Sequence, residues 1–263
     1  MPHRLNDHDT HAAVTDMSWR TVTTPPPLAV GAVHVWHDTL DEDGPRQWNS
    51  IVPLSPSDRV RAERYKVPAR RHAFERGRLF VRHLLGHYLG RPEITIELGV
   101  HENGKPFVHH HPGEAAHEIS LSHSGGVLLV AVSRAGEIGA DAERIDPQVK
   151  HEAIARRFFA AEETAALAAC SPADRERAFF RCWTRKEALV KALGDGLAHS
   201  LTTFAVSIEP VEVSALLRTP AHWNGSAPWQ LYDCAPGADY AGALAVRGTD
   251  IHVERLRWGT TAD

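Results

Sequence analysis

The stretch Phe179–Gly196 constrains the fold of this chain most, because it combines the pattern of a long amphipathic helix with charges on its apolar side. At roughly 100° per residue, one arc of the helix is apolar and carries Phe179, Cys182, Trp183, Val190 and Leu193. Lys186 falls inside that arc and Glu187 lies at its edge, whereas Arg181 and Arg185 project to the opposite side, which we expect to be solvated. A charge within an apolar arc is costly unless a partner, a metal or a water-filled cleft compensates it. A snorkelling lysine beside a peripheral glutamate is the alternative interpretation.

Signals at both ends of this stretch predict one continuous helix. Ser171 is a typical N-cap, Pro172 suits the first turn, and Asp174 follows three residues after the cap. Gly194 supplies the stop at the other end. The sequence therefore predicts a single helix of about six turns.

Length and composition are those of an ordinary globular protein. The chain has 263 residues, of which 43% are hydrophobic and 24% charged, enough to bury a core in one large domain or two smaller ones. The formal net charge of −4 argues against a general polyanion binder, so we expect no nucleic-acid partner. The three cysteines form no CxxC pair, and we find neither an export segment nor an apolar run that could span a membrane, which predicts a reduced, cytoplasmic protein.

Positive charge is concentrated between Arg59 and Arg82, where nine Lys or Arg stand against two Glu. This strip is predicted to form one or two helices broken near Pro68, with Arg71, Arg78 and Arg82 on one side. Arginine suits bidentate contacts with phosphate. The strip indicates a local site for phosphate or an acidic partner, and a solvated helix face is the alternative.

The predicted strand Ile138–Glu143 places Asp141 and Glu143 on one face, because side chains alternate with a period of two. Two neighbouring carboxylates repel, which disfavours burial unless a cation joins them. Hard oxygen ligands of this kind suit Mg²⁺, which typically takes one or two carboxylates with phosphate oxygens and water. The strand therefore indicates a magnesium site, and two exposed acids at a strand end are the alternative.

Two turns before this strand carry residues that suit a ligand. Asn103-Gly104 is a hairpin signal with Lys105 at its exit. The segment 120–126 combines small residues and two glycines with His123, which can donate to a phosphate oxygen. The segment 109–117 is rich in histidine, but its spacing fits no standard metal site, so we interpret it as a solvated loop.

Together these motifs resemble those of the 4′-phosphopantetheinyl transferases, specifically the larger single-chain, Sfp-like (surfactin-synthetase-activating) class. The matching residues are Gly104–Pro106, Ser120–Ser124, Ile138–Glu143, Arg157–Phe159, and Trp183–Ala188 followed by Lys191. The likeness covers about residues 60 to 208. The Gly-x-Asp-x-Glu and Trp-x-x-Lys-Glu-Ala motifs, in this order and some forty residues apart, are specific in combination.

The resemblance implies an α+β fold in which two pseudo-symmetric α/β halves pack as one monomer. We expect residues 1–27, which are polar and end in three prolines, to form a mobile N-terminal tail with a stiff extended end. Residues 28–136 would form the N-terminal half and residues 137–263 the C-terminal half.

The resemblance also implies a reaction, in which the phosphopantetheine arm of coenzyme A moves to a serine of an apo carrier protein and adenosine 3′,5′-bisphosphate is released. By this likeness Asp141, Glu143 and Glu187 hold Mg²⁺, for which Mn²⁺ can substitute. Glu187 is also the candidate base, acting directly or through a metal-bound water. Lys186, the second catalytic candidate, pairs with phosphate oxygens together with Lys191.

The same likeness implies the remaining contacts of coenzyme A. His123, with the preceding Ser122, is placed at the 3′-phosphate, where Arg71 and Arg76 assist. The adenine is bordered by residues from the Asn103-Gly104 turn, namely Lys105 and Pro106.

The expected partner is an acidic apo carrier domain of a fatty acid, polyketide or nonribosomal peptide synthase, steered by local positive charge. Two other hypotheses remain open. A different Mg²⁺-dependent nucleotide enzyme, such as a kinase or nucleotidyltransferase, predicts a glycine-rich phosphate loop, yet neither GxxxxGK[ST] nor GxGxxG is present. The other hypothesis is a non-catalytic module that binds coenzyme A or a carrier protein.

Overall fold

The computed structural model describes residues 18–40, 53–194, 201–211, 213–220, 223 and 227–259. The α-helices formed by these residues are α1 (Pro56–Ala62), α2 (Pro68–Leu89), α3 (His151–Phe158), α4 (Ala161–Ala169) and α5 (Pro172–Leu193). None of these helices has both the length and the apolar character that a membrane-spanning helix requires.

The strands of the described residues come in two groups along the chain. The first group is β1 (Arg20–Val22), β2 (Ala32–Thr39), β3 (Leu98–Val100), β4 (Pro106–Val108), β5 (Glu118–Ser124) and β6 (Val127–Ser133). The second group is β7 (Ile138–Arg144), β8 (Ala205–Val206), β9 (Val213–Ser214), β10 (Leu216–Arg218), β11 (Trp229–Asp233), β12 (Tyr240–Arg247) and β13 (His252–Trp258). Two sheets contain most of them, a first sheet with the order β1-β13-β2-β6-β5 and a second sheet with the order β7-β12-β11-β9.

The two sheets and the two longest helices stack as four layers. One face of the first sheet packs against α2 in a core cluster that includes Trp36 and Phe80. The other face packs against the second sheet in a cluster that includes Val35 and Ala140. The outer face of the second sheet is covered by α5, whose Leu189 lies in a third core cluster. Each sheet is thus paired with one helix of 22 residues, which confirms the predicted α+β fold of two α/β halves.

The last strand crosses between the two groups. Although β13 follows every strand of the second sheet in the chain, it lies in the first sheet and pairs in parallel with β1 and β2. Part of the predicted tail 1–27 is therefore an ordered edge strand, because Arg20–Val22 forms β1. Residues 1–17 lie outside the described residues. The division between residues 136 and 137 stays a prediction.

Both predicted ends of α5 are confirmed. The backbone N–H of Asp174 donates to Ser171 Oγ at 3.2 Å. At the other end, Gly194 adopts the left-handed conformation with φ of 73° that ends many helices. The remainder of the predicted stretch, residues 195 and 196, lies outside the described residues.

The structure corrects one side of the predicted helix. Arg185 is buried rather than solvated. Its guanidinium donates to Ser207 O at 2.6 Å and to Glu209 O at 2.9 Å, so carbonyl groups replace the water that it gives up. A spacing rule could not show this, because these carbonyls come from a segment more than twenty residues later in the chain.

Candidate active site

Serine side chains of β5 join the edges of the two sheets. Ser120, Ser122 and Ser124 alternate along the strand, so all three point towards β7. Ser120 Oγ accepts a backbone N–H of β7 at 2.8 Å. Ser122 Oγ donates to Asp141 Oδ1 at 2.8 Å, and Ser124 Oγ donates to Glu143 Oε2 at 2.6 Å. Two of the hydroxyls therefore fix the orientation of the two carboxylates on β7.

Close packing of α5 on β7 brings the helix to these carboxylates. A Cβ atom at Gly139 would lie 2.0 Å from Ala188 O, so a residue without a side chain is required at this crossing. One turn further along α5, Lys191 Nζ donates to Asp141 Oδ1 at 2.7 Å. The structure thus gathers Asp141, Glu143 and Lys191, and Glu187 on the same helix lies close enough for the charges of all three to shift its pKa.

The charges of this cluster act on one another. Burial raises the pKa of Glu187, and repulsion from Asp141 raises it further. Burial also raises the pKa of Glu143, against the hydrogen bond from Ser124, which lowers it. The ammonium of Lys191 lowers the pKa of both glutamates and partly offsets these effects. A carboxyl group whose pKa is raised towards neutral pH is a more effective proton acceptor.

The oxygen atoms of the cluster are of the kind that hold a divalent cation. Asp141 Oδ2 is buried and accepts no hydrogen bond from the described residues. A buried carboxylate oxygen without a partner, beside two more carboxylates, fits the ligand chemistry of Mg²⁺. Among the described ranges, no three His, Cys, Asp or Glu side chains already surround one point as metal ligands. The chemistry of the donors therefore fits a metal, and the magnesium site stays a prediction.

A cavity of about 820 Å³, here called the large cavity, opens beside this cluster. His123 and Ser124 of β5 form part of its wall, and Gly104 and Pro106 of the β3–β4 hairpin form another part. Burial lowers the pKa of His123, and the positive charge of Lys191 lowers it further. The volume is that of a site for a small molecule or cofactor.

Comparison with known proteins identifies the family. Residues 137–245 match the family model described as the 4′-phosphopantetheinyl transferase superfamily. The 4′-phosphopantetheinyl transferase HetI of a Nostoc species is 33% identical over 216 residues, which cover 82% of this chain and 88% of HetI. This chain belongs to the 4′-phosphopantetheinyl transferase family. The transferase psf-1 of Bacillus pumilus is also 33% identical, over 220 residues that cover 82% of this chain and 90% of psf-1.

A partial similarity to a solved structure accompanies these matches. The holo-[acyl-carrier-protein] synthase (AcpS) of Thermotoga maritima aligns with a TM-score of 0.33 and 24% identity, over 43% of this chain and 62% of that chain. The family assignment rests on the curated relatives, and it confirms the resemblance drawn from the sequence motifs.

Lys186 of this transferase has an internal partner. Its ammonium is fully buried and donates to Glu163 Oε1 at 2.7 Å, to Glu163 Oε2 at 2.8 Å and to Phe204 O at 2.9 Å. Glu163 also accepts the backbone N–H of Val206 at 2.8 Å. This geometry corrects the predicted phosphate contact, because the charge within the apolar arc is satisfied by α4 and not by a ligand.

The two predicted arginine ligands have partners of their own on or beside α2. Arg71 is exposed and donates to Glu75 at 2.8 Å, and Arg76 is almost fully buried, 3.4 Å from a carboxylate of β2. Neither belongs to the described residues that line the cavity, whereas other members of the basic strip do, namely Arg61, Arg70 and Arg78. Both lie on α2 together with Arg78, and helical spacing alone does not show which side of that helix lines a cavity.

The remaining predicted contacts divide between the cavity and its frame. Pro106 lines the large cavity, and its predicted contact with adenine stays a prediction. Lys105 Nζ donates to Ala192 O at 3.2 Å, in the last turn of α5, where the helix dipole favours a cation. Ser122 supports Asp141 and is not among the described residues of the cavity wall.

Some residues of the site were given no role from the sequence alone. Ser124 holds Glu143, and it continues the period-two serines of β5, which is a signal that the sequence offered. Tyr65 and Phe74 contribute aromatic surface to the large cavity. Both lie between Arg59 and Arg82, a segment that was interpreted only for its positive charge.

Proposed function

We propose that this chain transfers the 4′-phosphopantetheine arm of coenzyme A to a serine hydroxyl of an acidic apo carrier domain, with release of adenosine 3′,5′-bisphosphate. The observation that carries the proposal is the cluster of Asp141, Glu143 and Glu187, which adjoins a cavity lined by His123. The names of HetI and psf-1, both 4′-phosphopantetheinyl transferases, support the same reaction class.

The metal of the proposal is Mg²⁺, with Mn²⁺ as a substitute. It would be held by Asp141, Glu143 and Glu187. Asp141 Oδ2 supports this role, because it is buried and accepts no hydrogen bond from the described residues. When bound by these carboxylates, a divalent ion would supply charge neutralisation that favours displacement at phosphorus. Lys191 holds Asp141 in place, and its predicted contact with phosphate stays a prediction.

Glu187 is the proposed base for the carrier serine. Its pKa is raised by burial and by Asp141, which suits a carboxylate that has to accept a proton. The proton of the serine hydroxyl passes to a carboxylate oxygen of Glu187, directly or through water, while the hydroxyl oxygen attacks the phosphorus.

The large cavity is the proposed site of coenzyme A. His123 is available to a phosphate group on its wall, and Arg61 and Arg70 add positive charge there. Tyr65 and Phe74 offer aromatic faces of the kind on which a planar base packs. Positive charge at this wall also suits an anionic substrate that approaches from solution.

The cellular setting forms part of the proposal. We propose a cytoplasmic monomer that acts on carrier domains of fatty acid, polyketide or nonribosomal peptide synthases. An acidic carrier would be attracted by the basic residues between Arg59 and Arg82, despite the formal net charge of −4.

The proposal is tested by mass spectrometry of apo carrier domains from the three synthase types, each incubated with the protein, coenzyme A and Mg²⁺. We expect a mass gain of one phosphopantetheine group on at least one carrier, which disappears when the metal is chelated. A carrier variant with alanine at the modified serine is the matched control. The absence of any gain across the panel would contradict the proposed reaction.

Calorimetry distinguishes the alternative of a non-catalytic binding module. Coenzyme A that binds with the same affinity with and without Mg²⁺, and without transfer to any carrier, would favour that alternative. The proposed transferase predicts tighter binding when the metal is present.

A further inference from the structure

One arginine of the large cavity differs from the others in its burial. Arg78 of α2 lines the cavity with only 9% of its surface exposed, whereas Arg61 and Arg70 of the same wall are exposed. Solvent screens the charge of the two exposed arginines. A guanidinium held inside the wall is screened less and moves less, so Arg78 is the arginine best placed to recognise one particular group of a ligand.

A buried carboxylate fixes the orientation of this guanidinium. Arg78 Nε donates to Asp58 Oδ1 at 2.7 Å, and Asp58 Oδ2 accepts a hydrogen bond from Ser55 Oγ at 2.9 Å. Asp58 itself is only 4% exposed. The two charges of the pair cancel, so Arg78 adds no net charge to the cavity. Its contribution is directional, because a carboxylate that accepts from Nε leaves the two terminal nitrogens for another acceptor.

The terminal nitrogens of Arg78 make no hydrogen bond within the described part of the chain, where Nε alone is engaged. Neither terminal nitrogen is fully buried, so both can be reached by a ligand in the cavity that Arg78 lines. Together they carry four N–H donors. No Asp or Glu belongs to the described residues of the cavity wall. A free fork of this kind matches two oxygen atoms of a phosphate group.

The two faces of β5 separate Arg78 from the carboxylate cluster. The serines of β5 hold Asp141 and Glu143 on one face, and the residues between them point the other way because side chains alternate. Leu121 accordingly packs into the core cluster beside α2, and His123 shares its face. Arg78 on α2 therefore borders the cavity on the side of His123, with β5 between it and the carboxylates.

We infer that Arg78, oriented by Asp58, binds the terminal phosphate monoester of coenzyme A and sets the preference of the cavity for ligands that carry this group. The inference rests on the proposed function, which assigns the pyrophosphate to the carboxylates on the other side of β5. A monoester has three free oxygen atoms, enough for the fork of Arg78 and a contact from His123. A ligand without the monoester would leave these donors unpaired, which is the basis of discrimination.

Calorimetry with two matched ligands tests this role of Arg78. Coenzyme A and 3′-dephospho-coenzyme A share the pyrophosphate and the pantetheine arm, and they differ only in the monoester. Each is titrated into the full chain with Mg²⁺ and without a carrier. In the double variant Asp58→Asn with Arg78→Gln, we expect coenzyme A to bind about tenfold more weakly, because charge-assisted hydrogen bonds are lost. The affinity for 3′-dephospho-coenzyme A should change by less than about twofold.

The double substitution separates a ligand contact from a structural effect. It removes one positive and one negative charge together, so no buried charge is left without its partner, and the two amides can hydrogen-bond to each other. Arg78→Lys is a second variant, which keeps the ion pair with Asp58 and loses the fork. We expect it to weaken coenzyme A alone, by about threefold or more. Thermal unfolding checks that each variant is folded.

A second ion pair provides the matched control. Arg91 Nη1 lies 3.2 Å from Glu114 Oε2, and the two side chains are 10% and 21% exposed. Neither residue belongs to the described wall of the large cavity. Arg91→Gln with Glu114→Gln should therefore leave the affinity for both ligands unchanged.

Equal weakening of both ligands in the Asp58→Asn/Arg78→Gln variant would place Arg78 at the pyrophosphate, and an unchanged affinity for coenzyme A would leave Arg78 without a ligand. Either result overturns the inference. Transfer to an apo carrier is scored separately, by the mass gain that the wild type produces. A wild type that transfers, with a double variant that keeps its affinity, would overturn the role of Arg78 alone. A wild type that shows the Arg78-dependent preference and transfers nothing would overturn the reaction alone.

Discussion

Folding disfavours the charged form of two carboxylates in this protein, Glu143 and Glu187. Glu187 sits beside Asp141 in a partly buried cluster, and both burial and repulsion raise its pKa. Side chains whose charge is unfavourable without a ligand are typical of functional sites, because a bound ligand of opposite charge removes the repulsion.

The raised pKa of Glu187 predicts how the stability of the protein depends on pH. The pKa of Glu187 in the folded chain is raised above the ordinary value of 4.5, so its charged form is disfavoured by folding. The wild type should lose stability as the pH rises through that raised pKa, whereas Glu187→Gln should not. In metal-free buffer at pH 8, we expect the melting temperature of Glu187→Gln to exceed that of the wild type by about 2 °C or more.

The difference should vanish below the unfolded pKa of 4.5, where the wild-type glutamate is protonated in both states. Glu176→Gln, on the same helix about three turns away, is the control and should lack the pH-dependent gain. A melting temperature of Glu187→Gln that lies below that of the wild type at pH 8 would contradict the cluster.

Lys186 allows a sharp test of a structural role against a ligand-binding role. Lys186→Met would leave Glu163 buried without its cation, and removal of one partner of a buried ion pair costs about 3–5 kcal/mol. Urea unfolding should show this loss. Lys66→Met, at an exposed lysine, is the control and should change stability by less than about 0.5 kcal/mol. Equal stability of the two variants would show that the ion pair does not support the fold.

At the residue scale, the site residues that could be predicted from the sequence are those that local spacing and short motifs identify. Asp141 and Glu143 share a strand face, and Glu187 follows in a second specific motif, so all three were predicted together. The partner of Lys186 was out of reach, because Glu163 lies 23 residues earlier on a different helix. The positions of Arg71 and Arg76 were not predicted for a similar reason, since helical spacing does not show which side of α2 lines a cavity shared with β5 and the β3–β4 hairpin.

At the scale of elements, the site depends on the crossing of α5 over β7. Gly139 makes that crossing close enough for Lys191 to reach Asp141 on the strand. The sequence indicated the helix, its caps and the strand with good accuracy, because each has local signals. It did not show that α5 would cross β7 at Gly139, nor which face of α5 would lie against the strand.

Gly139→Ala tests this crossing. A Cβ atom 2.0 Å from Ala188 O cannot be accommodated without a shift of the helix. We expect a loss of about 1–3 kcal/mol of stability in chemical denaturation and a fall in transfer activity. Gly237→Ala is the control, because the added Cβ would meet nothing closer than 4.0 Å. A fully active and stable Gly139→Ala variant would mean that α5 does not pack on β7 as described.

At the scale of the whole molecule, the site lies where the two sheets meet. The four side chains of the cluster come from β7 and α5, and serines of β5 in the first sheet hold two of its carboxylates, so the orientation of the cluster depends on both halves. The return of β13 to the first sheet ties the end of the described chain to its beginning. A pairing over such a sequence distance leaves no local signal, which explains why the sequence analysis assigned this strand only to the C-terminal half.

We propose that this junction, and Glu187 within it, performs the transfer. The most direct measurement is the rate of holo-carrier formation at saturating coenzyme A and Mg²⁺, compared between the wild type, Glu187→Gln and the control Glu176→Gln. We expect a loss of about 10²-fold or more for Glu187→Gln, with the control unchanged and both variants folded. A Glu187→Gln rate within a few-fold of the wild type would contradict it.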